Sequence, residues 1–112
     1  MNKQIVATEK APAAVGPYAQ GVKVQAGNLW FFSGQIAIDP ATGKVVEGDA
    51  VAQTKQILKN IAALLADQGL TAENVVKTTV FLTDISVFKA VNEVYAGFFG
   101  AALPARSCMA VA

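Results

Sequence analysis

The single arginine of the chain, Arg106, stands two residues from its single cysteine, Cys108, in the run Pro104-Ala105-Arg106-Ser107-Cys108-Met109-Ala110-Val111. If that run is a β-strand, side-chain alternation puts the two on one face, roughly 6 to 7 Å apart along the backbone. A planar cation and a soft polar sulfur then share one small site. Guanidinium can grip a carboxylate through two parallel hydrogen bonds, a geometry that lysine ammonium groups do not offer. Arg106 is therefore a candidate carboxylate anchor; the competing role is a structural ion pair with one of the eight acidic residues. Cys108 is a candidate nucleophile or redox thiol, set against a packing or hydrogen-bonding role, since free cysteine is among the most buried residue types.

The chain has no histidine. Ser-His and Cys-His nucleophile pairs are thereby excluded, and no ligand set for a catalytic zinc remains. Chemistry falls to Arg, Lys, Tyr, Cys, carboxylates, backbone groups and water. Tyr18, after Gly16-Pro17, can present a phenol to a ligand or cover a core edge. Asn92 interrupts an apolar helical stripe, so if buried it needs partners from backbone, a second subunit or a ligand. Ser33-Gly34 ends an apolar run where the missing side chain lets a ligand approach the backbone, or marks a bulge. Gly27, Gly34 and Gly43 form no phosphate-binding fingerprint, and there is no P-loop, metal cluster or nucleophile elbow. No metal is expected.

These residues sit in 112 positions, read as one domain spanning 1–112. Nine Lys and Arg balance eight Asp and Glu for a net charge of +1, without the basic block that nucleic acid or an acidic lipid surface requires. Hydrophobic residues make up 54% and charged residues 15%, below the roughly 25% charged of a typical soluble domain. Apolar runs such as Ile61 to Ala66 are far shorter than the ~18 residues of a membrane span, so the excess points to self-association. No secretory signal follows Met1, and a lone cysteine forms no internal disulfide. Both suit a reducing cytosol and a cytoplasmic location.

The elements that must position the candidates follow from periodicity. Gly21 to Ala26 alternates as a strand, Gly27-Asn28 fits a hairpin loop, and Leu29 to Ser33 is apolar on both faces, as in the middle of a sheet. Asp39 to Gly43 reads as a surface turn. Asp49 to Gln68 has helical spacing, with Asp49 as N-cap and Gly69-Leu70 suited to a Schellman ending. Val75 to Thr83 reads as an internal strand. Ser86 is placed to cap a second helix with the stripe Phe88, Val91, Asn92, Tyr95, Phe98 and Phe99, ending near Gly97 and Gly100 before the Arg106 strand. The order ββαβαβ, with a possible short leading strand at Ile5 to Ala7, predicts an α+β domain. Two helices pack on one face of a mixed sheet, and the other face is covered by a closed homo-oligomer with clefts between subunits.

Five segments together resemble the reactive intermediate deaminase family, the YjgF-like proteins. They are residues 8–21 (TEKAPAAVGPYAQG), Ser33-Gly34-Gln35-Ile36, residues 76–82 (VKTTVFL), Val91-Asn92-Glu93-Val94-Tyr95 and Pro104-Ala105-Arg106-Ser107-Cys108. They occur in family order across nearly the whole chain, and both Arg106 and Cys108 match the deaminase-active subfamily. The resemblance implies a chorismate-mutase-like fold, a homotrimer and sites between neighbouring subunits. It further implies cofactor-free hydrolysis of 2-imino acids, such as 2-iminobutanoate and 2-iminopropanoate, to 2-keto acids and ammonia, a defence against metabolite damage.

By that match, Arg106 clamps the substrate carboxylate, Gly34 offers a backbone contact, Cys108 lines the site by hydrogen bonding, and Tyr18 completes the wall from a neighbouring chain. Ser33 and Asn92 are further substrate-binding candidates. The family pattern continues into another strand carrying a water-positioning glutamate. The sequence ends at Ala112 before it, and Glu9, Glu47, Glu73 and Glu93 do not match that position, so the domain is read as lacking its final strand. The main rival is a protein of the same fold that binds small carboxylates or unfolded clients without turnover. RNA cleavage is disfavoured by the absent histidine and the near-neutral charge.

Overall fold

Asp49 opens the longest element as its side chain predicts: its Oδ1 accepts from the backbone N–H of Ala52 at 3.0 Å, and helix α1 runs Ala50–Asp67. Its end is a Schellman motif. Gly69 N donates to Ala66 O at 3.0 Å and Leu70 N to Leu65 O at 2.8 Å, with Gly69 at φ 70°. The structure, a computed structural model, describes residues 2–25 and 27–112. Around α1 stand strands β1 (Lys3–Val6), β2 (Gly21–Val24), β3 (Ile38–Asp39), β4 (Lys44–Val45), β5 (Lys77–Leu82) and β6 (Ala105–Ala110), and helix α2 (Phe88–Phe99). The leading strand runs Lys3–Val6 rather than Ile5 to Ala7, and the Arg106 strand is where the sequence puts it; the expected end of the second strand at Ala26 lies outside the described residues.

Pairing departs from the single mixed sheet. β1 and β2 form an antiparallel pair, β3 and β4 a hairpin about the Asp39–Gly43 turn, and β5 and β6 a parallel pair. The Leu29–Ser33 segment is not the expected central strand, and Gly27-Asn28 joins no hairpin. Phe31 is 90% exposed, and Trp30 is held through its side chain, Nε1 donating to Gln68 Oε1 at 2.9 Å. Two apolar faces show that a segment needs cover; they do not say which backbone supplies it. β5 is likewise not internal. It pairs on one edge with β6, and Lys77, Thr79 and Phe81 on its other face are exposed.

The second helix also starts differently. Ser86 does not cap it: Ser86 lies in a 3₁₀ turn, Ile85–Val87, capped by Asp84, whose Oδ1 accepts from Ser86 N at 2.9 Å. Because that turn runs straight into α2, the unpaired amides fall one turn earlier than the apolar stripe suggests. The core then forms where the helices meet. Leu58 of α1 and Tyr95 and Phe99 of α2 are buried, with Ile61, Val80, Phe98 and Leu103 packed against them. Phe99 stacks at a tilt on Tyr95 with centroids 4.6 Å apart and meets Phe98 edge-on at 4.9 Å.

Much apolar surface stays outside this core. The accessible surface is 7567 Å² for 11.6 kDa, against about 5,800 Å² expected of a folded monomer of that mass. The radius of gyration, 14.6 Å, likewise exceeds the roughly 13 Å expected for this length. Leu29, Phe31, Ile36 and Phe81 are each more than half exposed. These residues need a partner that one chain does not supply.

Candidate functional site

The parallel register sets Thr78 beside Arg106 and Val80 beside Cys108. All four are half-buried on the sheet face that α2 crosses, where Thr78 Oγ1 and the Tyr95 hydroxyl share a hydrogen bond of 2.6 Å. The start of β6 is fixed from several directions. Pro104 is fully buried, its carbonyl accepts from Ala19 N at 3.0 Å, and Ala105 N donates to Val76 O at 3.1 Å. Lys3 Nζ donates to Val75 O at 2.8 Å and Ala102 O at 3.0 Å, tying β1 to the approaches of both β5 and β6.

From this base the Arg106 guanidinium enters a cage of rings. Its Cζ lies 5.0 Å from the Tyr95 centroid and 5.6 Å from those of Tyr18 and Phe88. Each such contact is worth about 0.5–2 kcal/mol according to its desolvation, and together they hold the plane in place. Nη1 donates to Asn92 Oδ1 at 2.8 Å. The group is thus oriented by a neutral amide rather than a carboxylate, so its positive charge is not neutralised there. A guanidinium has five N–H donors, and among the described residues this is its only side-chain hydrogen bond. No fully shielded side-chain nitrogen or oxygen lacks a partner among the described residues, so the unused Nε and Nη2 donors meet solvent. An aimed, unneutralised, open guanidinium edge is a receptor for a planar anion.

Tyr95 is the buried phenol of this cage. Desolvation raises its pKa above the ordinary 10.0, opposed by the Thr78 hydrogen bond and the Arg106 charge, while Cys108 adds to the rise. Because the folded value lies above the unfolded one, the protonated phenol stabilises the fold below pH ~10, and that contribution is lost as pH climbs through the folded value. In an ultraviolet tyrosinate titration, a component should ionise above the ordinary phenol range and vanish in Tyr95→Phe. Its survival in that variant would assign it elsewhere.

The structure gathers Arg106, Cys108, Tyr18 and Asn92 in one region, and Tyr18 reaches the guanidinium from the same chain, its ring centroid 5.6 Å from Arg106 Cζ, rather than from the neighbouring chain that the family match implies. Asn92 holds the arginine, which answers how its amide is satisfied. Ser33 and Gly34 are exposed, on the segment that forms no strand, and a Cβ added at Gly34 would meet nothing within 4 Å. No described hydrogen bond or ring contact joins them to the cage. Sequence reasoning did not assign Phe88, Tyr95, Thr78 or Gly16 to the site. Phe88, Asn92 and Tyr95 share a helix face at i, i+4 and i+7, so the stripe held that signal; Thr78 depends on strand register, which no local pattern encodes.

Among the described residues no three His, Cys, Asp or Glu side chains gather to hold a metal, and no helix is long and apolar enough to cross a membrane. A concavity of about 380 Å³ is lined by Asn2, Lys3, Ile5, Glu73, Asn74, Ala101 and Ala102, none of them in the Arg106 cage.

An α+β chain with two helices, small sheets and an open arginine set in rings has close relatives. The family model described as Endoribonuclease L-PSP matches residues 8–112. The chain is 50% identical over 115 aligned residues to the 2-iminobutanoate/2-iminopropanoate deaminase of Salmonella typhimurium, covering 100% of this chain and 87% of that protein. It is 44% identical over 110 residues to the mouse (Mus musculus) protein of the same name, covering 98% and 80%. The crystal structure of RidA from an Antarctic Psychrobacter superposes with a TM-score of 0.72 at 42% identity, covering 96% of this chain and 85% of that one. The chain belongs to the Endoribonuclease L-PSP family, whose members here include proteins named as reactive intermediate deaminases.

Proposed function

We propose that the protein hydrolyses 2-imino acids, in particular 2-iminobutanoate and 2-iminopropanoate, to 2-keto acids and ammonia. The observation that carries this reading is the Arg106 guanidinium, held by Asn92 Oδ1 at 2.8 Å and three aromatic rings, with its remaining donors open. A substrate carboxylate bound there is fixed by two charge-assisted hydrogen bonds, and the imine carbon next to it is held for attack. Water adds its oxygen to that carbon and one of its protons passes to nitrogen, giving a carbinolamine. The C–N bond then breaks as the hydroxyl proton also passes to nitrogen, so that ammonia leaves and the carbonyl of the keto acid forms. Preorganised positive charge beside the reacting centre needs no metal or organic cofactor for this chemistry.

In this reading Cys108 lines the pocket by hydrogen bonding, Tyr18 forms part of the wall, and Ser33 and Gly34 approach the ligand from a neighbouring subunit of a chorismate-mutase-like homotrimer in the cytoplasm. The support for assembly is physical. A single chain leaves Leu29 to Phe32 and Phe81 in water, and a cage open on one side is completed when another subunit covers that apolar surface.

The test couples a pyridoxal-phosphate threonine dehydratase to this chain and follows formation of 2-oxobutanoate. The chain should accelerate imine loss over free solution, and sedimentation of the same sample should give three chains per particle. Tight binding of 2-oxobutanoate with no acceleration would replace the enzyme with a carboxylate-binding protein of the same fold. Cleavage of RNA by the same preparation would favour the activity in the family's description. The net charge of +1 offers little attraction to such a polyanion.

A further inference from the structure

Between β1 and β2 the chain crosses residues 8–15, every one exposed and none in a helix or strand. Such a segment would ordinarily move, yet it leads into Gly16 and Tyr18 beside the arginine. One side chain organises it. Gln20 Oε1 accepts from Thr8 N at 2.7 Å, and Gln20 Nε2 donates to Thr8 O at 3.1 Å, to Pro12 O at 2.7 Å and, sharing a hydrogen, to Ala11 O at 3.4 Å. The β1–β2 ladder ends at the pair Val6↔Gly21. By taking both the N–H and the C=O of Thr8, the Gln20 carboxamide imitates a further strand residue and carries the pairing outward.

The far end of the segment is fixed at the cage. Val15 N donates to the Tyr18 hydroxyl at 3.2 Å, and Tyr18 N to Gly16 O at 2.8 Å. Next to them Ala19, 7% exposed, donates its N–H to Pro104 O at the root of β6. A Cβ added at Gly16 would stand 3.4 Å from Arg106 Nη2 and 3.6 Å from the Tyr18 ring. Gly16 therefore borders the guanidinium edge that is free of protein partners.

We propose that Gln20 is a positioning residue: its carboxamide holds residues 8–18 as a strap over Arg106, and the bare Gly16 of that strap sets how much of the Nη2 edge a carboxylate can reach. The functional half of this inference rests on the imine-hydrolase reading; the structural half does not. Gln20→Leu keeps the side chain's bulk and removes all four hydrogen bonds. Gly16→Ala acts oppositely, leaving the strap fastened and placing a methyl against Nη2.

Because Arg106 is the only arginine, phenylglyoxal modification reads its exposure without any substrate. In the full chain, Gln20→Leu should raise the modification rate about fivefold or more. It should also raise tryptic cleavage after Lys10 about tenfold, with cleavage after Lys55 and Lys59 of α1 unchanged as a measure of global folding. KM for the imine should rise about tenfold, with kcat changed less than twofold. Gly16→Ala should slow modification and raise KM without faster cutting at Lys10. Wild-type rates of modification and of Lys10 cleavage in Gln20→Leu would overturn the strap, and so would faster modification in Gly16→Ala. Should Gln20→Leu unfold, seen as faster cutting at Lys55 and Lys59, the Gly16→Ala result decides alone. If wild type shows no imine hydrolysis while both chemical probes respond as stated, the imine reading fails and the strap over Arg106 stands.

Discussion

Arg106→Ala should lower kcat/KM for imine hydrolysis by about 10²- to 10⁴-fold, since two charge-assisted hydrogen bonds of about 1.5–3 kcal/mol each are lost and each 1.36 kcal/mol is a factor of ten. Arg106→Lys keeps the charge but abandons the paired donors, the fit to Asn92 Oδ1 and the stacking among Tyr18, Phe88 and Tyr95. It should recover only a small part of the loss. Cys108→Ala should cost less than Arg106→Ala, because in the proposed site the thiol lines the pocket without carrying the ligand's charge. Steady-state kinetics in the coupled assay, with 2-oxobutanoate binding measured on the same proteins, separates these cases. Equal activity of Arg106→Ala and wild type would refute the clamp, and a greater loss in Cys108→Ala would move the chemistry to the thiol. Thermal melting guards against a trivial explanation, because an emptied aromatic cage alone should cost only about 1 kcal/mol per lost cation–π contact.

The largest stability effect should come from Phe99→Ala. Phe99 is 4% exposed and touches both Tyr95 and Phe98, so truncation leaves a cavity where α1, α2 and β5 meet. A loss of about 3–5 kcal/mol is expected, a large share of the roughly 5–15 kcal/mol that holds a domain of this kind folded. Urea unfolding should show a lower midpoint at unchanged m-value. Loss of less than 1 kcal/mol would mean that the core lies elsewhere. Phe31→Ala makes the contrast: at 90% exposure it should change the stability of a single chain by less than about 0.5 kcal/mol. A larger penalty that grows with protein concentration would show that this ring is buried between subunits.

Legibility divides along the distance over which each determinant acts. α1 was readable to its caps because Asp49, Gly69 and Leu70 act on amides and carbonyls within one turn of themselves. Ser86 misled because the 3₁₀ turn before α2 moved the unpaired amides back to Asp84. Leu29 to Ser33 misled for another reason. Its composition reports a need for burial, but a strand exists only when a second backbone lies alongside, and among the described residues none pairs with it.

The sequence alone determined that Arg106 and Cys108 share one face of one strand, since period-two alternation is a property of the local backbone. It also determined that Phe88, Asn92 and Tyr95 share a helix face, and that no histidine could compete for the chemistry. Only the tertiary structure decided that these two faces meet. With that packing Asn92 became the arginine's orienting partner, Tyr95 its buried wall and Gln20 the fastening of the strap above it. The physical reason is that periodicity fixes directions within an element, whereas contact between elements depends on register and packing across the whole chain.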